Sequence, residues 1–377
     1  MRWIIIPLML LALVTGCETE PDPNPANDIL GVPVLECMIP QERYVELLSN
    51  RWSDEEAAVD IFVGGERFRG SFEPQGAGSR FHIRWSFKLE VEKEPYPFGL
   101  VESNLSAQIF DDSRLRTALA SYVFGELGFP LFDFHPIYLK INGRNYGLYI
   151  LNERFDTPWF EKRQVPVHEL IKADFGSVFT YRNGLQLAKY FRKIVPDDDN
   201  VNGMGDLIHA LDQARPEHMI EDVGTFLDIE NYLRYHAASS VLNHVDGFSN
   251  NLFFYKAHPG DPYSIIPWDF DKLMYESSDA GLVGPNDIIF KLLQNDTCVA
   301  IYKREIRHVI DDVLDPEKVF PVLDAFAARI VEAHAADPYL GEAGISLEVE
   351  SNRLKENLMK RRTFFRNNLE TITRFPR

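Results

Sequence analysis

The residues with the most chemical promise lie between 243 and 271. They run Asn243-His244-Val245-Asp246-Gly247-Phe248-Ser249-Asn250-Asn251, then two strand-like stretches, then Pro267-Trp268-Asp269-Phe270-Asp271. A carboxylate such as Asp246 can orient and deprotonate an attacking hydroxyl. An amide oxygen one loop-turn away, at Asn251, can reach a divalent cation. Residues 252–256 and 263–266, joined by His258-Pro259-Gly260-Asp261, read as a hairpin that brings back a second carboxylate, Asp269. There it can hold metal against phosphate oxygens, so the set carries the parts of a phosphoryl-transfer site. Acidic and amide residues in a helix-to-strand loop also serve as turn formers and caps, and each of these alone would read that way. Their order, followed by a hairpin of suitable length, favours the chemistry. Trp268 reads as a packing residue and His244 as one that orients the loop.

The spacing from His-x-Asp to an Asn five residues beyond the Asp matches a kinase catalytic loop, and Asp269-Phe270-Asp271 stands where a kinase has Asp-Phe-Gly. Val245 replaces the arginine that usually precedes the catalytic aspartate. That argues against control by a phosphorylated activation loop, and the short segment after Asp271 agrees. Upstream, Gly76, Gly78 and Ser79 form a small-residue loop ahead of a strand that bears Lys88. Small residues let backbone N–H groups approach phosphates closely. Arg80 and Arg84 add positive charge near the same mouth. By themselves these features also fit a hairpin turn and a solvated edge lysine.

Several elements must position these groups. Val59-Asp60-Ile61-Phe62-Val63, Gly64-Gly65 and Arg67-Phe68-Arg69 read as a hairpin. Residues 85–91 alternate, with Ser86, Lys88 and Glu90 on one face and Phe87, Leu89 and Val91 on the other. Residues 112–127 read as a helix, with Leu115, Leu119, Val123 and Leu127 at spacing four. Asn142-Gly143 between residues 137–141 and 146–150 is a strong hairpin signal. The second half reads as mainly helical, with helices over 228–242, 313–335 and 347–369. A sheet-rich front and a helical back imply an α+β chain of two lobes with a cleft between them.

The whole chain sets outer limits. It has 377 residues, of which 45% are hydrophobic and 12% aromatic, enough for a sizeable core. Its 39 basic and 57 acidic residues give a formal charge of -18, a poor balance for nucleic-acid binding. Met1-Arg2-Trp3, the apolar run 4–14, and Thr15-Gly16-Cys17 read as a leader too short to span a bilayer. Val14-Thr15-Gly16-Cys17 resembles the bacterial lipobox, which implies cleavage before Cys17 and lipidation of its thiol. The Pro-, Asp-, Glu- and Asn-rich stretch that follows reads as a tether. Glu18 after the cysteine favours the outer membrane if the host has two. The expected layout is a signal peptide over 1–16, a tether over 17–32, a sheet-rich lobe over 33–156 and a helical lobe over 157–377. Cys37 and Cys298 could pair outside the cytoplasm.

At the motif level the chain resembles the CotH kinase family. The resemblance is carried by Gly76-Ala77-Gly78-Ser79-Arg80 with Ser86-Phe87-Lys88-Leu89, and by Asp112-Ser113-Arg114-Leu115-Arg116. Asn142-Gly143 through Gly147-Leu148-Tyr149, Glu153, Asp246 and Trp268-Asp269-Phe270-Asp271 extend it over about residues 59–275. The resemblance implies an atypical protein-kinase-like fold that uses ATP with Mg2+ or Mn2+ and phosphorylates protein serines outside the cytoplasm. By it, Asp246 matches the catalytic aspartate, Asp269 the metal-binding one and Lys88 the phosphate-binding lysine. Arg80 matches the arginine of the glycine-serine loop. The loop departs from the family's common Arg-Gly-Asn-Ser-Ser, and Arg84 stands where lysine is common. Glu153 belongs to the nucleotide site in one of two ways: it pairs with Lys88, or it lines the base while Asp111 or Asp112 orients Lys88.

The expected partner is therefore a protein with a Ser or Thr acceptor, and the enzyme is expected to act as a membrane-anchored monomer at the cell surface or in the periplasm. A second reading keeps the fold but makes the chain a weakly active or inactive surface-binding module, since ATP is scarce outside the cytoplasm. A third, a metal-dependent phosphatase or hydrolase, lacks the histidine-rich ligand set such sites often show.

Overall fold

The structure is a computed structural model that describes residues 30–49, 52, 55–76, 78–92, 98–275 and 281–376. Cys17, the leader, most of the tether and Ala77 lie outside these residues.

The first part of the chain closes a seven-stranded barrel. Its elements are β1 (Val34–Met38), α1 (Gln41–Ser49), β2 (Ala57–Val63), β3 (Glu66–Gln75), β4 (Ser86–Val91), β5 (Glu102–Ser106), α2 (Arg116–Glu126), β6 (Phe134–Ile141) and β7 (Arg144–Glu153). The strand order is β1-β2-β3-β4-β5-β7-β6, and parallel pairing of β1 with β6 closes the ring. Both glycine-marked turns form where expected. Gly64 and Gly65 connect β2 to β3, and Asn142 and Gly143 connect β6 to β7, all four with positive φ as a two-residue turn requires. The alternation in β4 also holds: Phe87, Leu89 and Val91 are buried while Ser86, Lys88 and Glu90 are half-exposed. Those apolar residues join Leu35, Ile61, Phe72, Leu105, Ile137 and Leu151 in the barrel interior. Closure leaves no free edge, which single-strand patterns do not disclose.

The rest of the chain comprises α3 (Thr157–Arg163), β8 (Glu169–Ala173), β9 (Phe191–Val195), α4 (Asn202–Gln213), α5 (Met219–Val223) and α6 (Ile229–Val241). After these come β10 (Leu252–Lys256), β11 (Ser264–Pro267), α7 (Asp287–Leu292), α8 (Asp296–His308), α9 (Pro316–Ala335) and α10 (Leu347–Asn368). Helix starts follow side-chain capping: Asp156, Asp228, Asn286, Asn295, Asp315 and Ser346 each accept from a backbone N–H of the first turn. The second half is not only helical, because β8 and β9 extend the β10–β11 hairpin into a sheet of order β11-β10-β8-β9. Each of the added strands is five residues long, and β8 lies between two neighbours, so pairing rather than local propensity decides it.

Helix α2 starts at Arg116, later than its leucine spacing suggests. The Asp111 carboxylate accepts from Ser113 N and Oγ and from Arg116 N, which makes residues 111–115 a capped turn. Arg114 sits in that turn at φ +61. Helix α2 packs in the larger core with α6, α8, α9 and α10, so it joins the barrel to the helical part. The cysteines are a correction. Cys37 is buried in the barrel core and Cys298 in the other core, both as free thiols, and they do not pair.

One buried ion pair ties the two parts together. Arg84 Nη1 lies 3.1 Å from Asp337 Oδ2, with the side chains 1% and 0% exposed. Arg84 also donates to the Leu148 carbonyl at 2.7 Å, and Asp337 accepts from Leu148 N at 2.6 Å and Tyr339 N at 2.7 Å. Gly147, at φ +90, leaves the room: a Cβ there would run into the Asp337 carboxylate. Arg84 is thus an internal clamp and adds no charge to the mouth of a site.

Candidate active site

The loop after α6 is stitched to the segment that follows β11. His244 N donates to Ser239 O at 2.8 Å, closing the helix end, and Asp246–Phe248 form one 3-10 turn. Gly247 is required there, since a Cβ would strike the His244 ring. Its carbonyl accepts from the Tyr235 hydroxyl at 2.7 Å. The β10–β11 pairing sets Asn251 opposite Trp268, and Trp268 N donates to Asn251 O at 3.2 Å. His244 bridges to Leu273, and Met274 N donates to Leu242 O at 3.1 Å. Asp246, Asn251 and Asp269 are thereby brought to one end of the small sheet.

Four residues of this stretch hold left-handed backbone: Asn243, Asn251, Asp269 and Met274, with φ between 47 and 56. Asn and Asp tolerate that region better than other side chains, whereas Met gains nothing from it. Such a concentration is characteristic of segments shaped by function. Packing underneath fixes the turn. Phe270 lies 5.6 Å from Phe124, 5.8 Å from Phe132 and 5.6 Å from His244, ring to ring. Trp268 packs on Phe132 at 4.7 Å. Burial pushes the His244 imidazole down to about 4, against the pull of Asp246 and the Trp268 backbone, so the ring is a neutral packing group.

The electrostatics centre on three carboxylates. Burial and the nearby Asp246 charge raise Asp269 above its ordinary range, with Lys172 and Lys272 opposing. Burial, Asp269 and Asp246 raise Asp271 further, with Lys272 opposing. Crowded negative charge makes Asp269 and Asp271 costly to ionise, and an added cation would relieve both. Lys272 already supplies part of that charge, its Nζ lying 2.8 Å from Asp246 Oδ2. Partial burial disfavours the Lys272 ammonium, but the hydrogen bond to Asp246 and the charges of Asp246, Asp271 and Asp269 outweigh it and raise the lysine's pKa. Among the described residues, no group of three or more His, Cys, Asp and Glu side chains forms a ready-made metal cage.

The small-residue loop reaches this centre through Phe110. Gly76 turns at φ +84, and Ser79 Oγ donates to Gln75 O at 2.8 Å. Gly78 abuts the ring of Phe110, where a Cβ would lie 3.5 Å from its edge. The Lys272 ammonium stands 4.6 Å from the centroid of that same ring. Gly76, Gly78 and Ser79 are therefore on the side of the barrel that faces Asp246. Arg80 does not extend the loop's charge into the open, because it is buried and donates to the Pro74 carbonyl at 2.5 Å.

Lys88 and Glu153 do not pair. Lys88 lies 3.6 Å from both Glu90 and Glu102. Glu153 is buried and held by Arg163 at 2.9 and 2.6 Å, by Lys162 at 3.6 Å and by Asp133 N at 3.0 Å. It works here as a latch between β7 and α3. Asp111 is committed to its turn, so the acids beside Lys88 are its strand neighbours. Glu102 also pairs with Arg154 at 3.5 Å, and Lys172 feels both Arg154 and Asp269. Burial depresses the pKa of Lys172, Arg192 and Arg154 add to that, and Asp174 and Asp269 resist it.

Lys172, Lys272 and Phe110 lie around the centre without a legible signal in the sequence, whereas Asp271 is marked there only as part of the Asp269-Phe270-Asp271 run. Lys172 shares a face with Asp174 at spacing two, a signal hidden while β8 went unread. Lys272 stands three residues beyond Asp269, where a lysine in a short loop has no distinctive spacing. Two surface concavities lie elsewhere. One of about 590 Å³ is lined by Asp206, His209, Gln213, Arg215 and Phe226, and one of about 470 Å³ by Glu126, Arg234, Arg304, Glu305 and His308.

The CotH kinase protein family matches residues 67–365. The inner spore coat protein H of Bacillus subtilis is 22% identical over 360 residues, covering 91% of this chain and 99% of that protein. Among solved structures, the Helicobacter pylori proinflammatory kinase CtkA aligns with a TM-score of 0.38 at 13% identity, over 84% of this chain and 91% of that one. The HipA–HipB–operator DNA complex of the Shewanella oneidensis toxin–antitoxin system aligns with a TM-score of 0.39 at 11% identity, over 90% and 73%. At such scores the structural likenesses carry no weight, but the family match takes in the small-residue loop, Lys88 and the whole 243–274 centre. On that match, the chain belongs to the CotH kinase family.

Proposed function

We propose that this chain is a two-lobed, kinase-like enzyme that transfers a phosphoryl group from ATP to a protein Ser or Thr hydroxyl. The observation that carries the reading is the cluster of Asp246, Asp269 and Asp271, in which the Asp246 charge helps to raise both other carboxylates, with Asp269 and Asn251 on left-handed backbone. Hard oxygen donors of this kind suit Mg2+ or Mn2+. Such ions need only one or two carboxylates and complete their shell with water and phosphate oxygens, so a preformed protein cage is not required. Asp269 and Asn251, with Asp271 beside them, would hold the metal, which when bound neutralises phosphate charge. Asp246 accepts the proton of the acceptor hydroxyl and aims that oxygen at phosphorus. Gly76, Gly78 and Ser79 offer backbone close to the phosphates. Equilibrium binding of ATP to the full chain, with and without Mg2+ or Mn2+, tests this directly. Metal-dependent binding supports it, and no binding under either metal favours the inactive binding module.

Lys88 lies among Glu90 and Glu102. Its role in this reading is ground-state grip on the nucleotide. Lys88→Met is accordingly expected to raise the KM for ATP by about tenfold and to leave kcat within about threefold. Steady-state kinetics at saturating and sub-saturating ATP check the split.

The chain is further proposed to be exported and anchored by a lipid on Cys17, with the acceptor at the cell surface or in the periplasm. Labelled fatty acid supplied to the producing cells is expected to enter the parent chain and to be lost in Cys17→Ala. Equal labelling of both removes the anchor from the account.

A further inference from the structure

Asp246 is paired with a cation. Lys272 Nζ and Asp246 Oδ2 are 2.8 Å apart, and both side chains are 29% exposed, so the pair sits at the mouth of the centre and not in its floor. The ammonium is held from a second side by the face of Phe110 at 4.6 Å, the ring on which Gly78 rests. Asp271 directly precedes Lys272 in the chain, and Asp269 stands two residues before that. Lys88, in contrast, spends its charge on Glu90 and Glu102. Lysine carries three donors on a flexible stem, so one ammonium can keep its bond to Asp246 and direct another N–H at a phosphate oxygen.

We propose that Lys272 is the bridging cation of the transfer step, binding Asp246 on one side and the migrating phosphoryl group on the other. The inference rests on the phosphoryl-transfer reading given above. In the step, a bond forms between the acceptor oxygen and the γ-phosphorus while the bond from that phosphorus to the β,γ-bridging oxygen breaks. ADP leaves with that electron pair, and the acceptor proton passes to Asp246. Lys272 holds the Asp246 carboxylate correctly turned until the proton arrives. Its remaining donors then face the equatorial phosphoryl oxygens as they pass from ADP to the acceptor. Phe110 limits where the ammonium can go, so the small-residue loop and the lysine approach the same phosphates from adjoining positions. Such a group acts in the transition state more than in the ground state, so it governs kcat more than nucleotide affinity.

Lys272→Met, which keeps the aliphatic stem on Phe110, and Lys272→Arg, which keeps the charge, separate the possibilities. The full chain and both variants are given Mg·ATP. Three quantities are measured: equilibrium nucleotide affinity, kcat and KM for ATP turnover to the chain's own hydroxyls and to water, and the thermal melt. Lys272→Met is expected to lose about 10²-fold in kcat with nucleotide affinity within about threefold of the parent, and Lys272→Arg to regain about tenfold of that loss. A melt near that of the parent shows that the fold is intact. The inference is overturned if Lys272→Met turns over within threefold of the parent. It is equally overturned if affinity falls as far as kcat, or if Lys272→Arg is no better than Lys272→Met. If the parent itself neither binds nor turns over ATP, the phosphoryl-transfer reading fails and takes this inference with it. An active parent with an active Lys272→Met removes this inference alone.

Discussion

Asp269→Asn is expected to make the metal-free protein more heat-stable while removing its response to Mg2+ or Mn2+ and lowering turnover on the order of 10³-fold. Both halves come from the same feature. Asp269 and Asp271 ionise against burial and against the Asp246 charge, and Asp271 against Asp269 as well. An amide at 269 keeps the size and the left-handed backbone preference but removes one of the repelling charges. It also removes the charge that would hold the metal. Melting curves in chelator and in excess Mg2+ check this, with the parent shifting upward on metal addition and the variant not shifting.

The same groups set a pH dependence. Both folded-state values are raised above the ordinary 3.8, so between 3.8 and those raised values the folded form binds protons that the unfolded chain has released. Stability from this source is complete below about 3.8, the unfolded value, and is lost as pH rises through the folded values. Measured against Asp269→Asn, in which buried His236 and His244 act equally and with the opposite sign, the metal-free parent should therefore lose stability on going from acid toward neutral pH. A divalent cation should flatten the parent's profile. A metal-free parent that gains stability relative to Asp269→Asn across that range would contradict the cluster's electrostatics.

The second large effect concerns the clamp between barrel and helices. Asp337→Ala is expected to cost about 3–5 kcal/mol, because it leaves the Arg84 guanidinium buried without its counter-charge. The Leu148 and Tyr339 backbone N–H groups also lose their acceptor. Arg84 keeps the Leu148 carbonyl and lies 4.9 Å over Tyr149 and 5.2 Å over Tyr339, so it has contacts but no anion. Urea unfolding gives the value. A loss under 1 kcal/mol would mean that the guanidinium escapes to water in the variant. Asp337 touches none of Asp246, Asp269 or Lys272, so residual folded protein should keep the parent's nucleotide affinity.

Much of the frame could be read from residue order. Gly64-Gly65 and Asn142-Gly143 mark their hairpins because positive φ at consecutive positions admits few other residues. The alternation around Lys88 gives β4 and its inward face. Barrel closure was not legible, because it depends on β1 meeting β6 about a hundred residues away. Strands β8 and β9 were hidden for a related reason: each is short, and each owes its existence to a neighbour. At the site, Asp246, Asn251 and Asp269 were legible because a loop and a hairpin return them at fixed spacing. Arg80, Arg84 and Glu153 show the opposite. Charge near a motif says little about where a side chain goes once it finds a buried carbonyl, Asp337 or Arg163. Lys272 and Lys172 were invisible because their placement comes from packing on Phe110 and from pairing in the small sheet.

The most direct test of the central claim is label transfer from γ-labelled ATP by the full chain and by Asp246→Asn, each with Mg2+ and with Mn2+. The account predicts that the parent labels a protein hydroxyl, and that Asp246→Asn loses about 10²–10⁴-fold of that rate while it still binds nucleotide. Transfer at the parent's rate by Asp246→Asn would contradict it.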